Sequence, residues 1–319
     1  MNQQRSSSAR PGYGGANNDQ NDAVRLLHDA EETMGGLDSL LIEANRLAQT
    51  IAAGLHGRRR AGPGETFWQH RPYAFGDAAS SIDWRQSARG SARLYVRQSE
   101  WEAAATAMIW SDPSASMSFS SAPRFPTKRW RADVLATALS VLLARGGERI
   151  GLIGGRPMPY HGRSAPTQIA EALIDRKVDT NSDGASTPTM GHVAPGSAVI
   201  LIGDFYEDIE KLSDAVASFA DQGASGCLIQ IVDPSEESFP FNGRTTFEDV
   251  ESHRKRTIGD ASSIRADYLK AFEEHRLSLS SLAKAVGWFF TAHSTDAPAN
   301  EALFAAYTSL VEGAGSLAG

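Results

Sequence analysis

From Ala103 onward, short apolar runs alternate with longer segments of helical spacing, and no other feature constrains the fold as tightly. The pattern predicts strands near 104–111, 149–153, 198–203, 226–232 and 288–292, and helices near 127–145, 167–175, 208–222, 261–286 and 299–312. Alternation of this kind implies right-handed strand–helix–strand crossovers and an α/β fold, a doubly wound, mostly parallel sheet covered on both faces. The chain carries no internal repeat.

The first hundred residues read differently. Residues 1–22 are polar and rich in Ser, Asn, Gln and Gly, the composition of a disordered tail. In 23–57, Val24, Leu27, Leu41, Ile42, Ala48 and Ile51 recur at helical spacings, which predicts a helical arm divided in two at Gly35-Gly36. Gly, Pro, Arg and aromatics dominate 58–100, as in a small β-rich module of short strands and tight turns. Its last segment, Leu94 to Gln98, alternates like a half-exposed strand leading into the main sheet, and the main domain is expected over 101–314.

Composition narrows the function classes. With 41% apolar residues the 319-residue chain can build a large core, and its net charge of -7 argues against nucleic acid or an anionic membrane as partner. The segment 58–100 is locally basic through Arg58-Arg59-Arg60, Arg71, Arg85, Arg89, Arg93 and Arg97. Glu65, Asp77, Asp83 and Glu100 lie among these arginines, so an ion-paired face is expected rather than a nucleic-acid surface. Trp84, Tyr73 and Phe75 suit packing of that module. The tail lacks the apolar stretch of a signal peptide, and no run is long enough to span a bilayer, so no membrane insertion and a cytoplasmic location are expected. Cys227, the single cysteine, falls in an apolar run and reads as core.

Chemistry concentrates at Asp112-Pro113-Ser114-Ala115-Ser116, directly after the first main-domain strand. In an open parallel sheet, ligands bind at the carboxyl ends of strands. Asp204, ending the run Ala198 to Gly203, and Thr167, opening a predicted helix, are expected at the same rim. One carboxylate and two hydroxyls in five residues suit a hard divalent cation such as Mg²⁺ or Mn²⁺, which prefers oxygen ligands. Asp, Pro and Ser are equally the residues of an ordinary turn, and Thr167 is equally a helix cap. No His/Cys cluster has zinc spacing, and Gly151 to Gly155 lacks the order of a nucleotide fingerprint and reads as a turn.

Asp112-Pro-Ser114-Ala-Ser116 resembles the DxSxS motif of von Willebrand factor A domains, with Thr167 and Asp204 resembling that family's threonine and second aspartate. The resemblance implies a Rossmann-like domain with a metal-ion-dependent adhesion site. Ser114, Ser116 and Thr167 would then offer hydroxyls to Mg²⁺ or Mn²⁺, Asp112 and Asp204 would act mainly through bound water, and a partner carboxylate would complete the octahedron. Pro166 stands where that family has Gly, and Gly203 where Ser is common. Upstream, Arg71-Pro-Tyr73-Ala-Phe75-Gly76-Asp77 and Ile82-Asp83-Trp84-Arg85-Gln-Ser-Ala88-Arg89 are similar to the signature of the DUF 58 family. That resemblance implies a von Willebrand A-like domain behind a small β module, acting as partner of a MoxR-type AAA+ ATPase on client proteins. Arg71, Asp77, Asp83, Trp84, Arg85 and Arg89 are the candidate partner-binding residues.

No nucleophile elbow surrounds Ser114 or Ser116, and Ser114 stands where an aspartyl phosphotransferase would want a second carboxylate. The expectation is a non-enzymatic, metal-dependent adaptor. A metal-dependent hydrolase or phosphotransferase on the same rim, and a scaffold with a vacant site, are the alternatives.

Overall fold

The computed structural model describes residues 36–52, 66–73, 84–88, 94–100, 105–176, 187–189, 191–206, 208–248 and 254–316. The expectations for 1–22, for Val24 and Leu27, and for Gly35 lie outside them. In chain order the elements are α1 (36–52), β1 (Thr66–Pro72), α2 (Trp84–Ser87), β2 (Tyr95–Glu100), β3 (Thr106–Ser111), α3 (Lys128–Arg145), β4 (Arg149–Leu152), α4 (Ala165–Asp175), β5 (Ala198–Gly203), α5 (Ile209–Asp221), β6 (Ser225–Val232), α6 (Pro234–Ser238), β7 (Thr245–Glu248), β8 (Lys255–Ile258), α7 (Arg265–Ala285), β9 (Phe289–Ser294) and α8 (Ala299–Ser316).

The five predicted strands form one parallel sheet in the order β4-β3-β5-β6-β9. Both faces are buried, and side chains alternate between them with the period of two that a strand imposes. Ala107, Ile109, Ile200, Ile202, Cys227, Ile229 and Ile231 enter one core with α1, α3, α4 and α8. Trp110, Val199, Leu201 and Leu228 enter the other with α5 and α7. Cys227 is fully buried and burial pushes its thiol up to about 12, which leaves it an inert core residue.

The order fixes where a crevice opens. From β3 the chain moves outward to β4 by way of α3, whereas from β5 it moves the opposite way to β6 by way of α5, and these two helices lie on opposite faces of the sheet. The carboxyl ends of β3 and β5 therefore flank a topological switch point, where open α/β sheets bind ligands.

Helix α3 explains its own lack of an amphipathic stripe. Every residue from Ala132 to Leu143 is buried, because the helix is covered by the sheet, α4 and α8 and, through Val134 against Leu40, by α1. The buried face of α1 is Leu40, Ala44, Ala48 and Ile51, while Ile42, counted toward the core from spacing, is exposed.

Other boundaries differ for physical reasons. β2 pairs antiparallel with β1 in a separate two-stranded sheet and does not join the main one. The stretch near 261–286 opens with a 3₁₀ turn at Ala261–Ile264 before α7. The β7–β8 hairpin and α6 escape a periodicity reading because they are four or five residues long. An aromatic cluster anchors that hairpin, with Phe239 against Tyr268 at 4.6 Å and Phe247 at 5.8 Å. Among the described residues no helix is long and apolar enough to cross a membrane.

Candidate functional site

Beyond β3 the chain bends at Asp112 and Pro113 and enters a 3₁₀ turn over Ala115–Ser118. The Asp112 N–H donates to the Ile202 carbonyl (2.9 Å), which extends the β3–β5 pairing by one residue. Its Oδ1 accepts the Ser114 N–H (2.8 Å), closing an Asx turn that holds the carboxylate toward the crevice. Asp112 is fully buried, and its Oδ2 has no hydrogen-bond partner among the described residues.

From the next strand comes Asp204, also buried. Phe205 follows it with φ 57°, a left-handed conformation uncommon outside glycine, held by stacking on Trp110 at 6.2 Å. Asp204 Oδ2 accepts the Ser116 hydroxyl (2.7 Å), and the Ser114 and Ser116 hydroxyls lie 3.0 Å apart. Since the single Ser116 proton is directed at Asp204, Ser114 is the donor of the other bond. Asp112, Ser114, Ser116 and Asp204 thus form one cluster.

Thr167 comes from α4. The helix begins two residues earlier, at Ala165 behind Ser164, so Thr167 lies within the first turn of α4 and is not its cap. Among the described residues no hydrogen bond ties its side chain to the cluster. Pro166 sits at the helix start, where its missing N–H costs nothing.

Three residues of the site carried no prediction. Lys128, the first residue of α3, places its ammonium 2.8 Å from Asp204 Oδ2, 2.7 Å from Glu236 Oε1 and 5.0 Å from the centre of the Tyr206 ring. It is 1% exposed. Glu236 uses its other oxygen to accept the Asp233 N–H (2.7 Å), completing the capping box of α6. The spacing Asp233-Pro-Ser-Glu236 behind an apolar strand was the available signal for that carboxylate.

Lys128 also had a signal. Helix α3 opens Lys128-Arg129-Trp130-Arg131 with no acidic residue in its first turn, against the helix dipole. Each cation is spent on another strand's end. Arg129 donates to the carbonyls of Pro113 (2.7 Å) and Ser114 (2.9 Å), and Arg131 to that of Thr295 (2.9 Å).

The electrostatics follow from burial and crowding. Burial, then the charge of Asp204, pushes Asp112 up to about 7, against the opposing hydrogen bonds from Ser114 and the charge of Arg176. Burial pulls Lys128 down, but Asp204 and Glu236 together outweigh it and hold it above its ordinary value. Glu236 is raised by burial despite Lys128. Lys128 is a charged ammonium, because two carboxylates face it.

The donor set fits a hard cation. An unpaired buried carboxylate oxygen, two adjacent hydroxyls and a second carboxylate are all oxygen ligands of the kind Mg²⁺ or Mn²⁺ takes. Among the described residues no three His, Cys, Asp or Glu side chains gather in a metal-binding group. A cation held here would have to draw on the hydroxyls as well.

Residues 69–278 match the family described as "Protein of unknown function DUF58". The chain belongs to the DUF58 family. Uncharacterized proteins of Mycobacterium bovis and of two strains of Mycobacterium tuberculosis are each 24% identical to this DUF58 protein over 287 residues, covering 83% of it and 88% of each relative. Two solved structures are similar at a TM-score of 0.39, each over 65% of this chain and 99% of its own. They are an aerotolerance-related membrane protein of Bacteroides fragilis with multiple mutations to serines, 16% identical, and the conserved hypothetical protein BatB of Bacteroides thetaiotaomicron, 13% identical.

Of the DUF58 signature residues, Asp77, Asp83 and Arg89 lie outside the described residues. Arg71 falls in β1 opposite Val96 of β2, and Arg85 in α2. Trp84 opens α2 and is 63% exposed, so the packing role expected for it is not the one it has.

Proposed function

We propose that this DUF58 protein is a non-enzymatic adaptor whose rim, charged with Mg²⁺ or Mn²⁺, docks a carboxylate of a partner protein. The observation that carries this reading is Asp112 Oδ2, a buried carboxylate oxygen without a partner, set beside Ser114, Ser116 and Asp204 at the switch point. Ser114, Ser116 and Thr167 would offer hydroxyls to the ion, with Asp112 and Asp204 acting mainly through bound water. The ion would supply a positive charge with open coordination positions, and the surrounding loops would select the partner. The MoxR-type AAA+ ATPase and its clients are proposed as partners on the strength of the family resemblance, with Arg71, Asp77, Asp83, Trp84, Arg85 and Arg89 as a second contact region.

The test is a pull-down of the ATPase by the purified full chain with Mg²⁺ and with a chelator, alongside Asp112→Ala. Capture that needs both Mg²⁺ and Asp112 supports docking through the ion. Equal capture by wild type and variant, or steady turnover of a phosphoester or peptide substrate, sinks the reading.

A further inference from the structure

Lys128 sits on Asp204, one of the two carboxylates that a cation at this rim would draw on. Its ammonium is hydrogen-bonded to Asp204 Oδ2, the oxygen that also accepts Ser116. A carboxylate oxygen already holding an ammonium and a hydroxyl has no lone pair aimed at a further ligand, and a divalent ion there would face a buried like charge. Asp112 Oδ2, in contrast, has no donor among the described residues. The internal cation thus neutralises one carboxylate of the crevice and leaves the other open.

Glu236 provides somewhere for the ammonium to go. It is fixed by its own helix, with Oε2 on the Asp233 N–H and Oε1 on Lys128, and it is not part of the oxygen cluster. The lysine can release Asp204 and keep its ion pair with Glu236 beside the Tyr206 ring.

We propose that Lys128 is a resident competitor for the metal ion, occupying Asp204 in the ion's absence and retreating onto Glu236 when the ion binds. The proposal rests on the metal reading given above. It makes Lys128 the residue that sets the ion affinity of the rim, although it is not itself a ligand.

Calorimetric titration of Mn²⁺ into the full chain, with no partner present, tests it on wild type, Lys128→Met and Glu236→Gln, each checked for native circular dichroism. Lys128→Met is expected to bind Mn²⁺ about tenfold or more tightly than wild type, since the competing charge is gone. Glu236→Gln is expected to bind more weakly, because Lys128 then has only Asp204. If Lys128→Met does not fold, Glu236→Gln reads the competition in the opposite direction. Equal affinities for all folded proteins, or weaker binding by Lys128→Met, overturn the competitor role while the metal reading stands. Absence of binding by every protein overturns both.

Discussion

Asp204 accepts an ammonium and a hydroxyl on one oxygen, so its loss removes one of the two carboxylates that pair a buried lysine and the only acceptor of the Ser116 hydroxyl among the described residues. Asp204→Ala leaves Lys128 paired with Glu236 alone and the Ser116 hydroxyl without its acceptor, which should cost about 1–3 kcal/mol. A urea denaturation curve should show that loss, and a shift under about 0.5 kcal/mol would contradict the pairing. Gly203 is as closely constrained. A Cβ there would lie 2.9 Å from both Cβ and Oδ2 of Asp112 and 3.2 Å from the Trp110 ring, so Gly203→Ala should cost about 1–3 kcal/mol by the same assay and displace the Asp112 carboxylate. At this scale the sequence was legible where chemistry is local. Asp112, Ser114 and Ser116 are read from one five-residue turn, and Asp204 from the end of a run of apolar residues. Lys128 was not, because its burial comes from packing against residues 76 and 108 positions away. Thr167 was misplaced by two residues, since Pro166 is tolerated in the first turn and the helix starts before it.

Elements set the charge state of residues well away from the rim. The turn from α3 to β4 buries Glu148, which is pushed up to about 7 by desolvation alone, against 4.5 for an ordinary glutamate. Because the folded value lies above the unfolded one, the native state holds the extra proton between those limits. Stability contributed by this group is therefore full below about 4.5 and falls away as pH rises through about 7. Glu148→Gln should match wild type near the lower limit and exceed it above the upper one by about 1–2 kcal/mol, reduced because the group is partly exposed. Thermal melts across that range decide the matter, and a constant difference at all pH values would refute it. Helix α3 offers a second check at its start, where the Thr127 hydroxyl accepts the Trp130 N–H (3.1 Å). Thr127→Ala should lower stability by about 1 kcal/mol, seen as a lower melting temperature. Long periodic elements were legible to within a few residues, because buried strands and helices announce themselves by sustained apolar runs. The β7–β8 hairpin and α6 did not, being shorter than any period that could reveal them.

The molecule as a whole is organised around α3, which lies between the sheet and α1. Leu40 of α1 is fully buried against Val134 of α3 and Ala170 of α4, so Leu40→Ala should cost about 2–5 kcal/mol in denaturant unfolding although it lies outside the sheet domain. Unchanged stability would mean that the helix does not belong to the core. Spacing marked Leu41, Ile42, Ala48 and Ile51 as the apolar positions of this helix, and packing against α3 and α4 selects Leu40, Ala44, Ala48 and Ile51 as its inner face. The basic first turn of α3 has a mechanical meaning too. Through Lys128, Arg129 and Arg131 it grips chain immediately beyond β3, β5, β6 and β9, so four of the five strands of the main sheet are tied at one end to a single helical turn. In a close-packed interior such a joint moves as one body. A load applied to any one of those loops is shared by the others, and the rim yields or holds as a unit, in the manner of a drawstring rather than a row of separate fingers.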